Sequence, residues 1–521
     1  MKSNIGYIIR ITLIVALGGF LMGFDASVIS GVVKFIEPQF DLSKIQLGWA
    51  VSCLTLTSTL AMIVSGPLSD RFGRKRILTY AALLYGISAI LSAIAPSFTF
   101  LVTARMIGGL GVGSSLIIAP MYIAEISPPK IRGRMVSFNQ LNIVLGISVA
   151  FFTNYLILKL GQSDAAWTQS FKFEEYNWRW MLGLETLPSI LYFGFLFIVP
   201  ESPRWLAMHG KYEDALSIMI KASSEEDAKN EFEVLKQNIS KSERKEKIPL
   251  SELFKPALKL VLFIGIVIAI TQQITGINSV FFYAPMIFEQ SGIGTDAAFS
   301  QAILVGLTNL VFTLVAIWLI DKLGRKPLLM IGLSGIVISM LVLSLGFKSA
   351  TYNINNENID TFINTPIYEQ LSEIKGIDYT SDVSFKNKLK EVLGENLAKE
   401  YESAIITQAI SNNPLLILFG ILGFVAFFAV SIGPVMWVLF SELFPNKIRA
   451  LAISFVGFIN SAVSFSVQLV FPWELAKLGN SATFMIYGIF GALGLIFIAI
   501  YLPETKGKSL EDLEKQLIKT N

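Results

Sequence analysis

Three ionisable residues stand well inside long apolar runs: Asp25, Arg105 and Glu185. A charge at mid-bilayer costs several kcal/mol unless it is paired or wet, so each is a candidate for function. Asp25 lies about 15 residues into the first run, roughly 22 Å from one side at about 1.5 Å per residue. Arg105 lies about 7 residues in from the opposite side, which in a ~30 Å hydrocarbon core gives roughly 20 Å from the first. The two can therefore meet. A carboxylate beside a movable arginine is a proton switch: paired, it stays ionised, and released, it takes up a proton. A static ion pair is the competing reading. Glu185 has no evident partner and sits nearer the far end of its run, so it ranks behind the other two.

A second group of side chains suits a ligand rich in hydroxyls, which needs amide donors and acceptors and an aromatic face. Asn139, Gln140 and Asn142 open the fifth run, and Gln272, Gln273, Asn278 and Tyr283 occupy the seventh. Asn309 lies on the eighth, Gly433, Pro434 and Trp437 on the tenth, and Asn460 on the eleventh. An unbroken helix would not place Gln272, Gln273 and Asn278 on one face, whereas a break at Gly276 would. One such amide could serve as a hydrogen-bonded tie between helices. This many, mostly in the second half, point to a polar pocket.

Other chemistries are poorly served. The chain has one histidine, His209, and one cysteine, Cys53, which leaves no basis for a disulfide framework, a histidine-rich metal site or Ser-His-Asp catalysis. No enzyme activity, cofactor or metal is expected. The run GGLGVG (108–113) falls inside an apolar stretch, so Gly109 and Gly113 suit helix packing and not a nucleotide loop.

These residues must be carried by membrane helices. Hydrophobic residues make up 53% of the 521 and charged residues 16%, well below the roughly 25% of a soluble domain. The net charge of +3 gives no reason to invoke nucleic acid. A span needs about 20 apolar residues, and twelve stretches qualify: 8–33, 46–66, 76–96, 98–124, 135–159, 180–199, 258–288, 299–320, 327–347, 413–441, 448–471 and 481–502. The start imitates a signal peptide, but its apolar stretch continues past Asp25 with no small-residue cleavage site, so it reads as a retained first span. Arg71, Arg74, Lys75, Arg76, Lys130, Arg132, Arg134, Lys322, Arg325, Lys326, Lys447 and Arg449 all fall in short connections on one side. That side is expected to be cytoplasmic, with both termini. The charged stretch 201–256 lies there as a helical linker. Segment 348–412 falls on the outside, and its second half has helical periodicity. An inert insertion is the plainer reading of it, and a small lid the alternative.

The chain repeats itself. GPLSDRFGRKR after span two returns as LIDKLGRKP after span eight, and YIAEISPPKIRGR after span four returns as LFSELFPNKIRA after span ten. The offset is longer for the second pair, and the insertion 348–412 lies between the two points and accounts for the difference. Asp70, Arg74, Glu125 and Arg132 thus match Asp321, Arg325, Glu442 and Arg449. Such clusters could latch the two halves while the pore faces outward and part when it faces inward, with Glu125 and Arg132 pairing across a short connection with Arg74; simple anchoring of topology by basic loops is the competing reading. Six spans repeated in the same orientation are parallel repeats, the plan of major-facilitator transporters.

The chain resembles the sugar porter family of the major facilitator superfamily over nearly its whole length. The resemblance rests on GFDASVISG (23–31), DRFGRKR (70–76), RMIGGLGVG (105–113), PESPRWL (200–206), QQITGIN (272–278), GPVMWVLFSELFP (433–445) and PETKG (503–507). It implies an all-α membrane protein with twelve transmembrane helices in two pseudo-symmetric six-helix bundles: residues 1–200, a linker 201–256, residues 257–502 and a tail 503–521. It implies sugar contacts at Gln140, Gln272, Gln273, Asn278, Asn309, Trp437 and Asn460, and proton coupling at Asp25 with Arg105. Ser461 stands where xylose and glucose carriers of the family have a tryptophan, Met22 and Phe282 replace an aromatic and a tyrosine, and Ile147 a glutamine. The expected pocket is wider and less aromatic, open to a pentose, another hexose or an inositol. The expected function is import of a monosaccharide or similar polyol by proton symport, by a monomer in the cell membrane. A passive facilitator is the close alternative. A drug–proton antiporter is disfavoured because span five holds one Gly and no Pro, and a nutrient sensor because the tail is short.

Overall fold

A computed structural model describes residues 5–242, 249–445 and 448–507, without the side chains of Asn238, Ser240, Lys241, Ser242 and Asp321. The side chain of Asp321, residue Lys447 and tail residues 508–521 lie outside the described residues. Eleven described helices are long and apolar enough to cross a bilayer. Spans one to five are Ile5–Gln39, Lys44–Phe72, Arg74–Ala93, Phe98–Ile126 and Arg132–Gly161. Spans seven to nine occupy Pro256–Glu289, Gly294–Leu323 and Arg325–Lys348, and spans ten to twelve Pro414–Leu443, Arg449–Lys477 and Asn480–Tyr501. Many of their large apolar side chains point outward, among them Ile63, Trp318, Ile338, Phe419 and Ile500, as lipid-facing helices require.

Span six is two shorter helices, Asn177–Gly183 and Thr186–Leu196. Pro188 explains the interruption: it has no N–H to donate, and its ring crowds the carbonyl of Leu184 four residues earlier. Pro434 acts in the same way on span ten, which divides at Ser431 into Pro414–Val430 and Ile432–Leu443. Span seven divides at Gly276, whose φ of 89° suits glycine. Gly109 and Gly113 sit where a side chain would collide with span two, at Thr57 Oγ1 and the Ser58 carbonyl. They are packing residues, as expected.

The chain forms two compact units. The first comprises Met1–Val28, Cys53–Ala150 and Arg179–Pro249, and the second Ile29–Ser52, Phe151–Trp178 and Leu250–Asn521. The linker folds as helices Pro203–Met208, Tyr212–Ala222 and Glu225–Ser242. Its Leu206, Ala207, Ala215, Ile218 and Phe232 join one apolar core with Ile8, Ile11, Tyr122 and Ile123 from spans one and four.

The insertion is a folded element in its own right. Antiparallel strands Thr351–Tyr352 and Ile410–Ser411 close its base. Helices Asn356–Ile359, Tyr368–Ser372 and Asp382–Ala409 lie between them, and the last bends at Gly394 (φ 79°). Tyr352, Phe362, Ile367, Leu371, Phe385, Leu389 and Ile405 are buried in a core of its own. The strands are the one departure here from an all-α expectation, and the long helix matches the periodicity of the second half.

Candidate functional site

The intramembrane charges meet in the first unit. Arg105 Nη1 stands 3.3 Å from Asp25 Oδ1, and both side chains are buried. A side chain at Gly108 would strike Asp25 Oδ2, at 2.9 Å from the added carbon. The glycine therefore lets span one bring its carboxylate against span four. Glu185 belongs to this group, although the sequence reading set it behind the other two. It sits at the interruption of span six, is buried, and has Asp25 and Arg105 as its electrostatic neighbours. The signal was present in the spacing. Arg105 lies about seven residues after Phe98 and Glu185 about eight after Asn177, on helices entering from the same side, so about 1.5 Å per residue puts them at one depth. Asp25 Oδ2 and Glu185 Oε1 have no hydrogen-bond partner among the described residues. Two buried carboxyl groups thus lie in the field of one guanidinium, with acceptor atoms to spare.

The amides of the second unit form one hydrogen-bonded set. The break at Gly276 turns Asn278 back toward the end of the preceding helix, and its Nδ2 donates to Gln273 Oε1 at 2.8 Å. Gln273 Nε2 donates to Asn460 Oδ1 at 3.1 Å, and Asn460 Nδ2 donates to Gln272 Oε1 at 2.7 Å. Gln272 Nε2 reaches the carbonyls of Ile432 and Gly433 at the start of the second helix of span ten. Ser464 and Gln468 belong to the set as well, unexpected from the sequence. Asn278 Nδ2 also donates to Ser464 Oγ at 2.7 Å, and so does Gln468 Nε2 at 2.8 Å. Both follow Asn460 at four-residue steps on one helix face, which is the pattern that could have found them. Asn309 is buried on span eight, and Trp437 is half exposed on span ten, edge-on to Phe440. Neither is hydrogen-bonded to the set among the described residues. Gln140 is exposed on span five in the first unit, next to a buried Asn139 whose Oδ1 has no described partner.

The two basic turns have matching geometry, each within one unit. Arg74 pairs with Asp70 at 2.8 Å and Glu125 at 3.0 Å, and Arg325 with Glu442 at 2.7 Å. A further carboxylate completes each cluster. Glu201 accepts from the backbone N–H of Arg74 and Lys75, and Glu504 from those of Arg325 and Lys326. Ser202 Oγ donates to Glu125, and Thr505 Oγ1 to Glu442. The expected pairing with Arg74 is formed by Glu125, and Arg132 takes no part in it. Arg132 donates to the Ser127 carbonyl, and Arg449 likewise to that of Phe444. Arg74 occupies both Glu125 oxygens, which leaves Arg132 to cover a carbonyl freed at the end of the preceding helix. Burial pushes the Glu504 carboxyl up, but the backbone N–H groups of Lys506, Arg325 and Lys326 outweigh it and hold the group below its ordinary range.

The family described as sugar (and other) transporter matches residues 11–363 and 400–517. The arabinose–proton symporter of Bacillus subtilis (strain 168) is 35% identical, over 99% of this chain and 97% of its own. The D-xylose–proton symporter of Escherichia coli (strain K12) is also 35% identical, over 98% and 96%. An inward-open structure of the E. coli xylose transporter superimposes with a TM-score of 0.74 at 32% identity, covering 98% of this chain and all of that one. The chain is a member of the sugar transporter family and has the twelve-helix fold of the major facilitator superfamily. It is a multi-pass membrane protein.

Proposed function

We propose that the protein imports a monosaccharide or similar polyol together with a proton by alternating access, through residues 1–200 and 257–502 acting as two six-span repeats. Asp25 is the proton site, Arg105 its movable partner and Glu185 a second carboxyl of the same site. Gln272, Gln273, Asn278 and Asn460 hold the sugar hydroxyls, with Gln140, Asn309 and Trp437 completing the pocket. The basic turns face the cytoplasm with both termini, in the cell membrane. Within each repeat their clusters brace the inner helix ends.

The observation that carries the coupling is the buried Asp25–Arg105 pair with an unpartnered carboxylate oxygen. An intramembrane charge retained at such cost needs a task, and a passive pore needs none. The names of two relatives, an arabinose– and a D-xylose–proton symporter, support the same reading. Uptake into proteoliposomes, screened over pentoses, hexoses and inositols with an imposed proton gradient, tests it. Accumulation of one of these is expected, collapsing with an uncoupler. Accumulation that survives the uncoupler excludes proton symport, and uptake that only equilibrates indicates a facilitator.

A further inference from the structure

The insertion remains without a task in that reading. The family match stops at 363 and resumes at 400, so its middle part lies outside the family pattern. Yet it has a core, and its long helix Asp382–Ala409 is tied at several points. Asp382 Oδ2 accepts from the backbone N–H and the side-chain amide of Asn480 at the start of span twelve, both at 2.9 Å. Glu402 accepts from Gln290 at the end of span seven, at 3.3 Å. These contacts seat the helix on elements of the second repeat.

The same helix also reaches the connection between spans one and two, which belongs to the first repeat. Lys399 Nζ donates to Asp41 Oδ1 at 2.7 Å. Lys34, near the end of span one, donates to Ser403 Oγ at 3.4 Å and pairs with Glu289 of span seven at 2.6 Å. Asp41 is held at φ 47°, an uncommon conformation for a residue other than glycine, in the turn that presents it. Burial pushes the Glu402 carboxyl up, but Lys44 and Lys386 outweigh it and hold the group below its ordinary range, so it is charged where it meets Lys44 of span two. All these residues lie in one compact unit, at the helix ends away from the basic turns.

We propose that the insertion is an outer gate: a strap seated on spans seven and twelve that holds the span one–two connection through Lys399–Asp41 and Lys34–Ser403, so that its release is a step in opening to the outside. The inference rests on the alternating-access reading, because only a carrier that opens outward has to part these contacts. Exposed single ion pairs contribute little each, so the strap biases the cycle and does not lock it.

A weakened strap raises the share of outward-open molecules, and apparent affinity for an external ligand rises with the share of competent molecules. Damage to the fold lowers affinity, so the sign separates the two. The test compares wild type, Lys399→Glu, Asp41→Lys and the charge swap of both, as full chains in proteoliposomes. Without sugar, backbone hydrogen exchange of residues 29–40 is expected to quicken about fivefold in each single variant and to return within about twofold in the swap. With the best sugar of the uptake screen, external KM is expected to fall about threefold in Lys399→Glu and to recover in the swap. Unchanged exchange in the single variants, a swap that fails to restore it, or a KM that stays or rises in Lys399→Glu overturns the proposal. The exchange arm needs no sugar, so a failed symport assay leaves it decisive.

Discussion

Arg105 Nη1 stands 3.3 Å from Asp25 Oδ1, while Asp25 Oδ2 has no hydrogen-bond partner among the described residues. Half of the carboxylate is committed to the guanidinium and half is open. Asp25→Asn keeps the shape and hydrogen-bonding capacity but cannot carry a proton. A membrane potential of ~100 mV provides about 2.3 kcal/mol per charge, or roughly 50-fold accumulation at about 1.36 kcal/mol per tenfold. The variant is expected to lose that gradient-driven accumulation, bringing the internal-to-external ratio to about one, while exchange of internal for external sugar continues. Proteoliposome uptake and counterflow on one preparation check both halves. Undiminished accumulation would remove Asp25 from the coupling step.

Glu185 faces the same guanidinium from span six. If the two carboxyl groups share one site, Glu185→Gln should also impair proton-driven uptake, by about tenfold in rate, while counterflow stays within about twofold. A buried isosteric change of this kind removes a charge without opening a cavity, so general loss of fold is a poor rival explanation. Proton-driven uptake at the wild-type rate would show that Glu185 is a bystander.

Asn460 joins the two glutamines of span seven. It donates to Gln272 Oε1 and the Ala269 carbonyl and accepts from Gln273 Nε2. Asn460→Ala takes one partner from each of three groups, although Gln273 Nε2 still donates to Gln272 Oε1 at 3.2 Å, and each group left buried and unpaired costs about 1–3 kcal/mol. Part of that loss falls on the sugar, whose hydroxyls need those amides held in place. Affinity for the transported sugar is expected to drop at least about tenfold, measured by titration calorimetry, with the pH dependence of transport unchanged. Wild-type affinity would place the sugar away from this network.

The sequence made legible what depends on long apolar runs and recurring charge. The spans, the repeated basic turns and the Asp25–Arg105 meeting all follow from counting residues against a bilayer thickness. The break at Gly276 was legible because three amides needed it. What escaped depends on local competition for partners. Arg132 looked free to join the Glu125–Arg74 cluster, but Arg74 alone takes both Glu125 oxygens. Glu201 read as a linker residue and Glu504 as a tail residue because their partners are backbone N–H groups, which leave no mark in a sequence. The core of the insertion was hidden by its polar surface, since a small element has many exposed residues for each buried one.

Glu504 offers a test of the basic turns that does not involve transport. Its carboxylate accepts from the N–H groups of Arg325 and Lys326 at 3.0 Å each, and these are groups a helix start otherwise leaves to water. Its pKa is lowered in the folded chain from the ordinary 4.5, because those N–H bonds outweigh burial. A lowered value means stabilisation that is complete above about pH 4.5 and is lost as pH falls through the folded value. Glu504→Gln keeps one acceptor oxygen but loses the charge, so at pH 7 it should melt earlier than wild type, on the order of 1–3 °C for a partly exposed site. The difference between the two proteins should narrow as pH falls below about 4.5 and through the folded value, where the wild-type side chain becomes neutral as well. Thermal unfolding in detergent across pH 3–8 reads this out directly. A difference that stays constant over that range would show that the side chain acts by shape and not by charge.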